Sequence, residues 1–254
     1  HGTTTFLKKL THVVSKGVGQ ILVEMPDPTP PEHVLESNEI VRGRFPALAA
    51  LPTYSSPRRE LRINLVTDSI NAGSLYGGVG TALIFASLLA ERRRCDLRII
   101  TRTERSDTHN FARLMELAKV QSLRNVEFHF ADVEAPKIDV DVDERELFVT
   151  TSWWNTYSTR RSVASSRIIY VLQEDERMFY PHGDEHLRCS ELLSDPKLNL
   201  LVNSRLLVDH LEQAGLPDIA RRCLWFEPSC PRELFHVEPV VPRNRQRFVF
   251  YARP

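Results

Sequence analysis

The chain has 254 residues, 33 basic and 33 acidic side chains, and no net charge at neutral pH. That length suits one large domain or two ordinary ones, and a hydrophobic fraction of 42% is enough to build a sizeable core. The charge balance excludes the basic footprint of a general nucleic-acid binder. No apolar run approaches the roughly 18 residues of a membrane span. Cys95, Cys189, Cys223 and Cys230 make no CxxC pair of a zinc ribbon or disulfide framework, and the first residues show no secretory h-region. Reduced thiols and a cytoplasmic location are the expectation.

Residues 4–22 place Phe6, Leu7, Leu10, Val13, Val14, Val18, Ile21 and Leu22 at helical spacing, with Lys8, Lys9, His12 and Lys16 between them. A basic amphipathic helix follows, which either packs on its own protein or a partner subunit or rests on an anionic membrane surface. Residues 23–60 hold seven of the sixteen prolines, so an extended linker or wrapping arm is expected there, with one short helix between Val34 and Phe45.

From residue 61 the texture alternates between strand and helix. LRINLVTD (61–68) reads as a near-continuous buried strand and VGTALIFASLLAERRR (79–94) as a helix with a cationic last turn. Further strands are expected over 95–103, 125–133, 146–154, 167–175, 197–204 and 223–229, with helices over 110–120 and near 184–194. A last helix follows Ser204 as its cap and is closed by Gly215. This order predicts an α/β fold: a Rossmann-like parallel sheet with helices on both faces, preceded by the arm over 1–60 and spanning 61–240. RFVFYARP (247–254) reads as one more strand, the first of a following domain. In such sheets ligands bind beyond the carboxyl ends of the strands.

Three stretches fall at those ends. Glycine is sparse, ten residues in all, yet Gly73, Gly77, Gly78 and Gly80 crowd into the loop NAGSLYGGVGT (71–81). The spacing lacks the third small residue of a dinucleotide fingerprint and the lysine of a Walker A loop, which leaves a ligand-facing loop of neither type or a tight turn. SWWNTY (152–157) sets Trp153 and Trp154 side by side. A strand would point them to opposite faces, so one packs in the core while the other lines a cleft and stacks on a sugar, or both serve the core. Glu174, Asp175 and Glu176 end the strand over 167–175, where they supply a general base or form a solvated turn paired to Arg177. HGDEH (182–186) matches the inverted zinc-peptidase pattern but sits at a helix start without an obvious third ligand, so a helix entry that brings His182 near the cleft fits better. Asp139, Asp141 and Asp143 lack the EF-hand glycine and terminal glutamate and read as a solvated loop. Arg92, Arg93 and Arg94 read as an exposed helix end.

LVTDSINAGSLYGGVGTAL, TSWWNTY and YVLQEDERMFYP together resemble the N-terminal half of GT-B glycosyltransferases of the WsaF rhamnosyltransferase type, over roughly residues 61–254. The resemblance implies two Rossmann-like domains facing across a cleft, the first binding the glycan acceptor and the second the nucleotide-sugar. It implies transfer of rhamnose from dTDP-rhamnose to a surface polysaccharide, with no resident cofactor or metal. It assigns Gly77 and Gly78 to the donor phosphates, Arg253 to the leaving diphosphate, and Trp153, Trp154, Asp175 and Glu176 to acceptor-side loops. Asp175 and Glu176 are the expected catalytic carboxylates, and Tyr76, Glu174 and His182 are further expected acceptor-side residues. By that resemblance residues 241–254 open a donor domain whose remainder lies beyond Pro254, and residues 1–254 alone turn over no donor. Residues 1–60 then contribute a membrane contact at the inner face or a homodimer contact. The reading from another class is a non-catalytic Rossmann-like module for dimerisation or membrane docking.

Overall fold

A computed structural model describes residues 43–75, 77–120, 122–134 and 139–227. The basic helix expected over 4–22, the strand expected over 247–254, Arg253 and Tyr76 lie outside the described residues. In chain order the strands are β1 (Thr53–Ser55), β2 (Arg62–Thr67), β3 (Asp96–Thr101), β4 (Val126–Phe130), β5 (Val140–Val142), β6 (Leu147–Thr150), β7 (Ile168–Leu172), β8 (Asn199–Asn203) and β9 (Cys223–Phe226). The helices are α1 (Gly78–Arg93), α2 (Thr108–Leu117), α3 (Trp153–Arg160), α4 (Asp184–Leu193), α5 (Arg205–Gln213) and α6 (Ile219–Arg222).

Seven of these strands pair in parallel in the order β4-β3-β2-β6-β7-β8-β9, while β1 and β5 pair in parallel as a small second sheet. The chain thus works outward from β2 to β4, returns beside β2, and works outward again from β6 to β9. This reversal between β2 and β6 is the topological switch point of an open α/β sheet. The fold is the Rossmann-like α/β class that the alternation implied.

Alternating residues of each strand feed two cores, as the period of two requires. Leu65 of β2, Leu97 and Ile99 of β3, Val149 of β6 and Val171 of β7 pack under α1 and α2 with Ala82, Leu83, Ala86 and Phe111. On the other face Val66, Ile100, Phe148, Tyr170 and Leu172 pack with Trp153 and Tyr157 of α3 and Leu192 of α4. Leu48 and Leu51 join this second core. The Ser158 and Ser162 hydroxyls donate to the Ala49 and Leu51 carbonyls, each at 2.5 Å. The described part of the proline-rich segment is therefore a wrapping arm that completes the core.

Local boundaries differ from expectation where side chains compete for the backbone. The strand expected over 146–154 stops at Thr150, because the Ser152 hydroxyl accepts from Asn155 N–H and starts α3. Trp153 and Trp154 are consequently helical neighbours. Ser204 caps α5 by accepting from Leu207 N–H, and Gly215 just beyond takes a φ of +93° that suits glycine. Cys95 and Cys189 are buried free thiols. No helix among the described residues is long and apolar enough to cross a membrane.

Asp139 is exposed as expected of a solvated loop, but Asp141 and Asp143 are not. Arg62 and Asn64 in β2 and Arg98 in β3 point toward the arm at the amino ends of the strands, where β5 brings Asp141 over them. Arg62 donates to Glu146 at 3.1 Å, Glu127 at 2.7 Å and Asp141 at 2.9 Å. Arg98 donates to Asp141 at 2.6 Å and to Asn64 at 2.7 Å, and Asn64 in turn donates to Glu146 at 2.9 Å. Asp143 is nearly buried and accepts from the Arg58 N–H at 2.6 Å. Burial and the adjacent Arg62 charge draw the Arg98 guanidinium down to about 10.

Glu146 is 0% exposed and faces both buried guanidiniums, at 2.9 Å from Arg62 and 3.5 Å from Arg98. Breaking a buried charge pair strands its partner, at a cost of about 3–5 kcal/mol. Glu146→Ala is therefore expected to lower unfolding free energy by about 3–5 kcal/mol in urea denaturation. A loss under about 1 kcal/mol, the scale of an exposed pair, contradicts the role given to this cluster.

Candidate functional site

The residues of interest sit where the strand order reverses. Asp68 follows β2 directly, Trp154 and Asn155 open α3 just beyond β6, and residues 173–177 follow β7. The Asp68 carboxylate accepts from the Trp154 indole N–H at 2.9 and 3.1 Å and from the Asn155 amide at 3.1 Å. Next to β2 and β6, Thr151 donates its hydroxyl proton to Thr67 at 3.0 Å. Arg102, buried at the end of β3, donates to the Ser158 hydroxyl on α3.

Trp153 is 1% exposed and makes edge-on contacts with Trp154, Tyr157 and Tyr180 at centroid distances of 6.4, 6.2 and 5.7 Å. Its indole N–H donates to the Tyr180 hydroxyl at 3.0 Å. Trp154 is only partly buried. Both rings border a cleft of about 300 Å³ walled also by Phe45, Pro46 and Tyr180, with Arg44 and Glu185 as its charged members. Aromatic faces beside a few charged groups form the kind of surface that a pyranose ring can stack on and hydrogen-bond to.

The glycine loop joins β2 to α1 at the same carboxyl edge of the sheet. Gly77 precedes α1 with a φ of +54°, a left-handed value that disfavours any side chain. At Gly78 a Cβ would stand 2.9 Å from the Gln173 amide nitrogen, so any side chain here would displace the end of the Gln173 side chain. No side chain caps α1 and no acidic residue occupies its first turn, which leaves its first N–H groups open to an anion. The Gln173 amide nitrogen and the Asn155 amide oxygen are buried without a hydrogen-bond partner among the described residues. Each thus keeps unused hydrogen-bonding capacity at the carboxyl ends of the strands.

The three consecutive carboxylates take different environments. Glu174 is half-buried. Asp175 accepts two bonds from Arg177, at 2.8 and 2.7 Å, and lies 3.1 Å from His210 Nε2. Burial pushes Asp175 upward, but Arg177 and His210 outweigh it and hold its carboxyl below the usual range. Glu176 is 6% exposed and accepts the Trp153 N–H at 2.6 Å, closing the first turn of α3. Burial, reinforced by Glu174 and Asp68, pushes it up to about 7 against the pull of Trp153 N–H and Tyr170. Burial likewise raises Asp68, opposed by Trp154, Asn155 and Arg102. A carboxyl poised near neutral pH is suited to take a proton from a hydroxyl.

His182 is exposed on the turn before α4, with its ring 4.5 Å from that of His186, whose Nδ1 lies 3.0 Å from the Arg177 carbonyl. Among the described residues no three His, Cys, Asp or Glu side chains are placed to hold a metal ion. Sequence reasoning missed Asp68, Gln173, Phe45 and Glu185, whereas Asn155 stood beside the tryptophans as a hydrogen-bonding group for a sugar. The first two carry a signal, since each is the polar residue that ends a buried strand run. Phe45 and Glu185 carry none, because long-range packing brings them to the cleft.

The raised Glu176 value makes a signed prediction. The folded state holds this proton more tightly than the unfolded chain, so its stabilisation is complete below about pH 4.5 and is lost as pH rises through about 7. The shift corresponds to about 3 kcal/mol. Relative to Glu176→Gln, which keeps the oxygen for Trp153 N–H, the unaltered protein is expected to lose about that much urea stability between pH 4.5 and 8. A difference that stays constant over that range contradicts the assignment.

Comparison with curated proteins finds no match. Comparison with protein families finds the WsaF N-terminal domain over residues 62–200, a span that contains β2 to the start of β8, the glycine loop, the tryptophan pair and the acidic stretch. Of the site residues named above, the arm residues Arg44, Phe45 and Pro46 and the Asp175 partner His210 fall outside it. With more than half of its length matched by that domain, the chain belongs to the WsaF family of glycosyltransferases.

Proposed function

We propose that the protein is the acceptor-binding half of a glycosyltransferase that moves rhamnose from dTDP-rhamnose onto a hydroxyl of a surface polysaccharide. The carrying observation is the aromatic cleft bordered by Trp153 and Trp154 in a WsaF domain, with an uncapped glycine-led helix start at the same carboxyl edge of the sheet. The two features match the two chemistries of the reaction. Stacking rings suit the acceptor sugar, and backbone N–H groups at Gly78 and beyond suit the donor phosphates.

In this reading the acceptor rests against Trp154, and Trp153, Tyr76, Glu174 and His182 are assigned to acceptor binding. The acceptor oxygen attacks the anomeric carbon of the donor, and the bond from that carbon to the diphosphate oxygen breaks. The hydroxyl proton passes to Glu176, whose value of about 7 fits the task, while Asp175 fixes the loop through Arg177 and His210. The leaving diphosphate is stabilised by the start of α1 at Gly77 and Gly78 and by Arg253. The nucleotide-sugar is a substrate, and no resident cofactor is required. Residues 241–254 are assigned to the start of the donor-binding part.

Calorimetric titration of the 254-residue chain tests this division. A rhamnose-terminated oligosaccharide is expected to bind saturably, whereas dTDP-rhamnose is expected to bind more weakly than about 1 mM. Submillimolar affinity for dTDP-rhamnose contradicts the assignment of the donor site to another part of the protein. Absence of saturable saccharide binding contradicts the acceptor reading.

A further inference from the structure

We propose that Asp68 determines acceptor recognition by locking Trp154 as the stacking wall, and Asn155 as the hydroxyl-reading group, of a pyranose subsite at the switch point. The inference rests on the acceptor reading above and names the residue that shapes its site.

An indole has one polar handle, and a tryptophan at a cleft wall turns about two side-chain torsions unless that handle is held. Here both Asp68 oxygens lie within 3.1 Å of the Trp154 nitrogen, a charge-assisted bond that fixes the ring plane. Asp68 is itself well anchored. Its carbonyl accepts from the N–H groups of Arg102 and Thr103, at 3.1 and 2.9 Å, and from the Thr103 hydroxyl at 3.0 Å. The end of β3 thereby holds the residue that holds the ring.

The same carboxylate decides what Asn155 presents. The Asn155 amide nitrogen donates to Asp68 at 3.1 Å and to the Ser152 hydroxyl at 2.9 Å, which uses both of its protons. The remaining polar atom is the amide oxygen, buried without a partner in a residue only 1% exposed. That atom can only accept, so it calls for a donor such as a sugar hydroxyl. A flat apolar wall and a fixed acceptor beside it are the two elements that recognise a pyranose with one C–H face. An asparagine at 68 keeps one oxygen and turns an NH₂ group toward the Trp154 and Asn155 donors, so it loosens both.

The test uses the 254-residue chain, ¹⁵N-labelled at its three tryptophans, with methyl α-L-rhamnopyranoside as the probe. The Trp154 indole N–H resonance is expected to move upfield and exchange faster in Asp68→Asn. Probe affinity is expected to fall about tenfold in Asp68→Asn and about tenfold in Trp154→Ala, with a combined loss in the double variant smaller than the product of the two, because the two residues share the Trp154 contact while Asp68 also acts through Asn155. Should Asp68→Asn not fold, Trp154→Phe keeps a ring but loses the N–H, and a several-fold loss is expected there. Unaltered probe affinity in Asp68→Asn or Trp154→Phe, or losses that multiply in the double variant, overturn the proposal. If the unaltered chain binds no probe, the acceptor reading fails. The clamp is then judged separately, and an indole resonance unmoved in Asp68→Asn overturns it as well.

Discussion

Two carboxylates hold the first turn of α3, and the site depends on them. Glu176, from the loop after β7, accepts the Trp153 N–H at 2.6 Å, and Asp68, from the end of β2, accepts the Trp154 and Asn155 side chains. A helix N-terminus carries unsatisfied donors and a partial positive charge, so both carboxylates sit where that field favours them. Their bonds draw the loops of strands on either side of β6 onto one helix end. Through that end they set Trp153 into the core and Trp154 onto the cleft wall. Burial raises both carboxyls, and both are spared a larger shift by the same donors.

The two ends of the sheet handle polar groups in opposite ways. At the amino ends Arg62, Arg98, Asn64, Glu146 and Asp141 bond to one another in a closed network under the small β1–β5 sheet. At the carboxyl ends Asn155 and Gln173 each keep a buried amide atom without a partner among the described residues, and α1 begins uncapped. A closed network buried against the core fits a structural role, while unsatisfied groups at the carboxyl ends of the strands fit a ligand. The fold explains the asymmetry, since every β–α loop of the parallel sheet emerges at the carboxyl side.

Much of this was legible from residues alone. The β–α alternation from 61 onward, the Ser204 cap and the Gly215 stop are local signals, and local signals survive folding. The strand end at Thr150 was not legible, because Val149, Thr150 and Thr151 continue the β pattern while one hydroxyl, that of Ser152, begins the helix. Asp141 reads as solvated because its partners Arg62 and Arg98 are more than 40 residues away in sequence, and Asp143 because only its near partner Arg145, not the distant Arg58 N–H, stands beside it in the chain. The same holds for the cleft. Its tryptophans announced themselves, but Phe45 arrives from the proline-rich arm and Glu185 from α4, and no spacing rule joins them. Glu176 stood out as an acid after a strand, whereas its inward turn onto the start of α3 is a tertiary fact.

The claim that the switch-point cleft is an acceptor-sugar site is tested most directly by a crystal structure of the chain soaked with a rhamnose-terminated oligosaccharide. The expected result is a sugar ring with its C–H face against the Trp154 indole and a hydroxyl donating to the Asn155 amide oxygen. A saccharide bound elsewhere, with this cleft occupied only by water, would contradict it.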